Sequence, residues 1–252
     1  MPLRFVAIGD STVEGLEDPG PDGSYVGWAD RLAGHLDEVH PGLLYANLAV
    51  RGQTTDEVRR TQLQPAVAMA PDIAVVVAGV NNVLRPGMDR DALRADLFAM
   101  HSDLAGTGAR VLTFSMPDMT RVAPLAAVLG GRLRFLNDVT YECRDRFGSL
   151  VLDLAAEPVA SHPALWHTDR LHANTEGHRR IAEGLAELVG CDVPDWRAEP
   201  PDVHEPALPR VVAGEVGWVV SHLLPWAWGH VRGQSSGEEV SCKRPQLRPV
   251  AG

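Results

Sequence analysis

Five residues from four separate stretches of the chain carry groups that together suit acyl chemistry: Ser11, Gly52, Asn81, Asp169 and His172. A serine hydroxyl is a poor nucleophile until a base removes its proton, and histidine is the usual base. In Asp169-Arg170-Leu171-His172 the carboxylate and the imidazole are three residues apart, so one turn of chain brings them together. The carboxylate can then hold the ring by its Nδ1 proton and leave Nε2 for the Ser11 hydroxyl. The oxyanion formed on attack needs donors fixed beforehand. Candidates are the N–H of Ser11, the backbone of Gly52, whose missing Cβ permits close approach, and the side-chain amide of Asn81.

Each of these residues also has an ordinary structural reading. Ser11 alone reads as a helix cap, Gly52 as a turn glycine, Asn81 beside Asn82 as a loop pair, and Asp169 as a solvated acid. His162, His167, His172 and His178 make the region histidine-rich, yet their spacing matches neither the HExxH helix nor the short ligand pairs of zinc sites. No metal and no cofactor is expected. His167 is the weaker rival for the base, and His178 reads as a residue packed against or capping the last helix. Gly233-Gln234-Ser235-Ser236-Gly237 matches the G-x-S-x-G elbow, but it sits in a polar tail with no histidine after it, so it is a chance match.

The elements that must position these groups alternate regularly. Apolar strand-like runs occupy residues 4–9, 43–50, 73–79, 110–115 and 150–154, separated by helix-like segments at 26–39, 55–68, 89–104 and 128–147. A last helix is signalled by Asn174 or Thr175 as N-cap, Glu176 in the first turn, and apolar spacing through Ile181, Leu185 and Leu188. Nearly all-apolar strands alternating with helices indicate a parallel sheet covered on both faces. In such a sheet, sites form along the carboxyl edge of the strands. Ser11 follows the first strand, Gly52 the second and Asn81 the third, while Asp169 and His172 lie between the fifth strand and the last helix. All five are therefore expected at one edge.

Composition narrows the partners. The chain has 252 residues, 45% hydrophobic and 22% charged, with a formal net charge of -10. That acidity disfavours a nucleic-acid partner, which needs a basic face. The three scattered cysteines argue against a disulfide framework. No secretory signal is visible and no apolar run is long enough to span a bilayer, so stable membrane insertion is not expected and cytoplasmic residence is the default.

The blocks Gly9-Asp10-Ser11, Gly52, Gly79-Val80-Asn81 and Asp169-Arg170-Leu171-His172 occur in the order of the four conserved blocks of the SGNH (GDSL) hydrolase superfamily, which residues 4–189 resemble. The resemblance implies a flavodoxin-like three-layer α/β/α fold with a five-stranded parallel sheet, and hydrolysis of a small-molecule ester or related acyl bond. It implies Ser11 as nucleophile, His172 as base, Asp169 as its partner, and Gly52 and Asn81 as oxyanion donors. Asn82 departs from the family's Gly-x-Asn-Asp pattern, and weaker positioning of Asn81 is expected from it. Thr12 puts a β-branched residue beside the nucleophile, narrowing the acyl site. An acyltransferase using the same acyl-enzyme, or a non-catalytic flavodoxin-like binding module, are the competing readings.

The hydrolase domain is expected at residues 1–190. Residues 191–252 read as a proline- and acid-rich linker, an accessory helix at 211–224 and a polar tail, packed on the domain or extending from it.

Overall fold

A computed structural model describes residues 1–21, 23–200 and 240–250. Its sheet runs in the order β5-β4-β3-β1-β2-β6, with β1 Arg4–Gly9, β2 Leu44–Asn47, β3 Ile73–Val77, β4 Arg110–Phe114, β5 Leu150–Leu152 and β6 Arg244–Pro249. The first five strands pair in parallel. The chain steps from β1 outward to β2, then returns to the other side of β1 for β3. That reversal opens a crevice at the strand ends, where ligands of open α/β sheets bind.

The helices are α1 Ser11–Glu14, α2 Gly27–Val39, α3 Thr55–Val58, α4 Gln64–Ala68, α5 Val80–Leu84, α6 Arg90–Gly106, α7 Gly130–Phe147 and α8 Thr175–Leu188. A π turn, Arg59–Leu63, joins α3 to α4. Alternate side chains of β1 sort into two cores, as the strand period of two requires. Phe5 and Ala7 pack with Trp28, Leu32 and Leu36 of α2 and with Ala182 and Leu185 of α8. Val6 and Ile8 pack with Leu63, with Leu93, Leu97 and Met100 of α6, and with Leu136 and Val139 of α7. The three-layer α/β/α expectation is met.

The strand count is corrected by one. β6 joins the open edge of β2 antiparallel, pairing Leu44 with Pro249, Tyr45 with Arg248 and Asn47 with Arg244 across an irregularity. The sequence reads as polar tail there because Pro245 and Pro249 cannot donate to a ladder, and prolines are confined to edge strands such as this one. Residues 191–200 run over α8, where Trp196 is buried and its carbonyl accepts from Arg180 Nη1 at 3.0 Å. The accessory helix at 211–224 and the G-x-S-x-G match lie outside the described residues. Among the described residues no helix is long and apolar enough to cross a membrane.

Candidate active site

β1 delivers the chain to the crevice, and Asp10 caps α1 so that Ser11 is its first residue. Gln62 secures that delivery from the π turn. Its amide accepts from Gly9 N–H at 2.9 Å and donates to Gly9 C=O at 2.8 Å, pairing with the backbone as a neighbouring strand would. A π turn adds a residue to the helical register and so changes which side chains face inward, a device frequent at functional sites.

Asp169 and His172 share a short loop closed by a bridge between Trp166 and Ala173 and by His167 N–H donating to His172 C=O at 2.9 Å. Arg170 takes a left-handed turn at φ 58°. Asp169 Oδ1 accepts from the N–H of Leu171 and His172 at 3.0 and 3.1 Å, and Oδ2 meets His172 Nδ1 at 2.6 Å. The other ring nitrogen, Nε2, lies 2.9 Å from Ser11 Oγ. Burial works to raise the Asp169 carboxyl, but the hydrogen bond and charge of His172 and the two N–H donors outweigh it, leaving a pKa of about 2. A carboxylate so acidic stays ionised beside the ring across neutral pH.

His167 turns elsewhere. Its Nε2 lies 3.4 Å from Glu17 and its Nδ1 3.7 Å from Asp169, so it flanks the acid rather than the serine. Glu17, His167 and Asp169 do form a cluster of metal-capable side chains. Both oxygens of Asp169 already have partners, however, so the donor set does not suit a resident ion. His162 caps the turn Pro163–Leu165 by accepting from Ala164 N–H. His178 is buried in α8 and ties it to the catalytic side: Nε2 contacts Leu16 C=O at 2.9 Å and Nδ1 accepts from Trp28 N–H at 3.1 Å.

Of the three expected oxyanion donors, Asn81 bonds to the neighbours of the other two, Asp10 before Ser11 and Gln53 after Gly52. Gly52 sits in a turn after β2 with φ 78°, which side-chain-bearing residues rarely adopt. Among the described residues neither its N–H nor that of Ser11 donates to another group. The amide of Asn81 is engaged: Nδ2 donates to Gln53 C=O at 3.0 Å and to Asp10 Oδ2 at 3.3 Å. Asn82 braces the loop, accepting from Thr55 N–H at 3.0 Å and donating to Thr55 Oγ1 at 3.3 Å. Thr55 Oγ1 donates in turn to Asp96 Oδ2 at 3.0 Å. Asp96 is in turn paired by Arg59 at 2.7 Å.

Three contributors escaped the sequence reading. Gln62 has no signal, since it follows the exposed residues Arg59, Arg60 and Thr61 and reads as one more polar residue of that face. Glu14, buried on α1, accepts from Arg51 N–H at 2.9 Å and from the Arg51 guanidinium, fixing the residue before Gly52. Asp10 was read only as part of its block. It is fully buried, and burial pushes its carboxyl up to about 6 against the opposing bonds from Thr12, the charge of His172 and the amide of Asn81.

Residues 7–180 match the GDSL-like lipase/acylhydrolase family. The chain belongs to that family, and the membership supports a hydrolase acting on carboxylic esters. No curated protein matches it in sequence. Among solved structures it is similar to LAE5, an alpha/beta hydrolase enzyme from the metagenome of Lake Arreo (21% identity, TM-score 0.62, covering 76% of this chain and 97% of that one). It is also similar to TesA (22%, 0.61, 74% and 98%). A third is a catalytic mutant of Axe2, an acetylxylan esterase from Geobacillus stearothermophilus (16%, 0.64, 80% and 99%). At these identities the likeness is one of fold.

Proposed function

We propose that this chain is a serine esterase that cleaves an ester of a small molecule through an acyl-enzyme, without metal or cofactor. The observation that carries the reading is the relay itself: Ser11 Oγ at 2.9 Å from His172 Nε2, and His172 Nδ1 at 2.6 Å from Asp169. His172 takes the Ser11 proton as Oγ attacks the acyl carbon. Asp169 stabilises the imidazolium that results. The oxyanion is received by the N–H groups of Ser11 and Gly52, and Asn81 joins as it shares a proton now given to Gln53 C=O or Asp10. His172 then protonates the leaving alcohol, and water, deprotonated by the same ring, releases the acyl group.

Asn82 has a structural task on Thr55, so it supplies no reason to invoke an acceptor other than water. Ser11→Ala is expected to abolish turnover of a short-chain aryl acetate, at least about 10⁴-fold in kcat, while its thermal unfolding stays that of the parent. Full activity in the variant would sink the mechanism. Labelling of the parent by a fluorophosphonate, absent in Ser11→Ala, is the companion expectation.

A further inference from the structure

The C-terminal strand lies outside the family match, which ends at residue 180, yet a buried polar chain leads from it to both catalytic loops. Lys243, on the segment entering β6, donates from Nζ to Val26 C=O at 2.7 Å and to Tyr25 C=O at 3.1 Å, and pairs with Asp30 Oδ1 at 3.0 Å. The same Asp30 oxygen accepts from Tyr45 OH at 2.8 Å. Tyr45 OH in turn accepts from Asn47 Nδ2 at 3.0 Å. Asn47 is fully buried, and its remaining groups divide between the two loops: Nδ2 donates to Val13 C=O on α1 at 2.9 Å, while Oδ1 accepts from Ala49 N–H at 3.1 Å. Arg244 adds a second hold, donating to Tyr45 C=O at 3.0 Å with its guanidinium over the Tyr45 ring.

Donors and acceptors agree along this chain. Asp30 is partly buried, and Lys243 is the one cation within 4 Å of it among the described residues. Held by Lys243, Asp30 Oδ1 accepts the Tyr45 hydroxyl proton, which leaves the phenol oxygen facing Asn47. Asn47 is thereby fixed between the helix that begins with Ser11 and the turn that ends at Gly52. Buried networks of this kind act as units rather than as separate bonds.

We propose that Lys243 and the C-terminal strand are a positioning strap for this active site, setting the Gly52 turn against the Ser11 helix through Asp30, Tyr45 and Asn47. The strap touches no reacting atom. Its effect falls on the alignment of the oxyanion donors, so it belongs in kcat rather than in substrate affinity.

The test is a double-mutant cycle in the full chain, with kcat and KM measured on an aryl acetate. Tyr45→Phe keeps the ring and the sheet while cutting the path; Lys243→Met cuts it at the strap. Each is expected to lower kcat about tenfold with KM within about twofold, and the double variant is expected to lose no more than the worse single one. Parent-like kcat in Tyr45→Phe overturns the proposal. Losses that multiply in the double variant, or fall in KM alone, overturn it too. If Lys243→Met fails to fold, Tyr45→Phe decides by itself. Because the strap rests on the esterase reading, Ser11→Ala is run alongside. Activity surviving in Ser11→Ala sinks that reading, whereas an inactive Ser11→Ala beside a parent-like Tyr45→Phe sinks the strap alone.

Discussion

Asp10, the neighbour of Ser11, is a buried carboxyl that costs the fold when ionised. Burial raises its carboxyl to about 6, opposed by the Thr12 bonds, the His172 charge and the Asn81 amide. Because its folded pKa lies above the ordinary 3.8 of an aspartate, its contribution is fully present below about pH 4 and lost as pH rises through about 6. At neutral pH the ionised group therefore costs the fold on the order of 1–3 kcal/mol. It also gives Asn81 a fixed acceptor at 3.3 Å, which keeps that amide on the crevice side of its loop. Asp10→Asn separates the two effects. The new amide still accepts from Thr12 but sets its own NH2 against that of Asn81. Thermal unfolding at pH 8 is expected to rise by several degrees, roughly the shift that ~1–2 kcal/mol gives a domain of this size, while kcat falls. Unchanged stability at pH 8 would show that the buried charge carries no such cost.

At the level of elements, α8 and the loop before it decide where His172 stands. Asn174 caps α8 by accepting from Gly177 N–H at 3.0 Å, and its amide donates to Ala164 C=O at 2.8 Å. Gly177 lets the helix come that close: a Cβ there would lie 2.2 Å from Leu165 C=O and 2.9 Å from Ala173 Cβ. Gly177→Ala must push the helix from that turn, and His172 lies only two residues before the cap. A loss of about 1–3 kcal/mol in urea unfolding is expected together with a fall in kcat. If both hold at parent values, the close approach does not set the loop. The sequence disclosed most of this arrangement because each core strand is a dense apolar run with its chemistry at the carboxyl end. Ser11, Gly52 and Asn81 could be placed by that rule alone. It did not disclose Gln62, whose inward aim depends on a π turn that apolar periodicity cannot signal. Nor did it disclose β6, Arg244–Pro249, which pairs with one neighbour only and whose single aliphatic residue, Leu247, makes no apolar run. Glu14 and Arg51 were hidden for another reason: a buried ion pair formed across 37 residues has no local pattern.

The whole molecule joins its catalytic loops through buried titratable groups, so its stability should report on them. His178 and His101 are both lowered to about 4, chiefly by burial. His178 accepts from Trp28 N–H at Nδ1, so protonation there would set two donors face to face. A histidine depressed in the folded state contributes stability present above its unfolded value near 6.5 and lost as pH falls toward about 4. Each contributes on the order of 2–3 kcal/mol across that span. Asp10 runs the other way, adding stability as pH falls below about 6. Asp169 and Glu176, each near 2, lose their contributions at lower pH, so from pH 7 to 4.5 the two histidines oppose the carboxyls of Asp10 and Asp30, both raised by burial. Over it the parent is expected to lose stability on balance, the two histidines outweighing the raised carboxyls. His178→Gln keeps a donor for Leu16 C=O and an acceptor for Trp28 N–H but does not titrate, so its stability curve should be flatter. Asp10→Asn removes one opposing contribution and should make the curve steeper. Midpoints of thermal unfolding at pH 4.5, 5.5, 6.5 and 7 test this, and three parallel curves would mean that these buried groups do not govern the acid response of the fold.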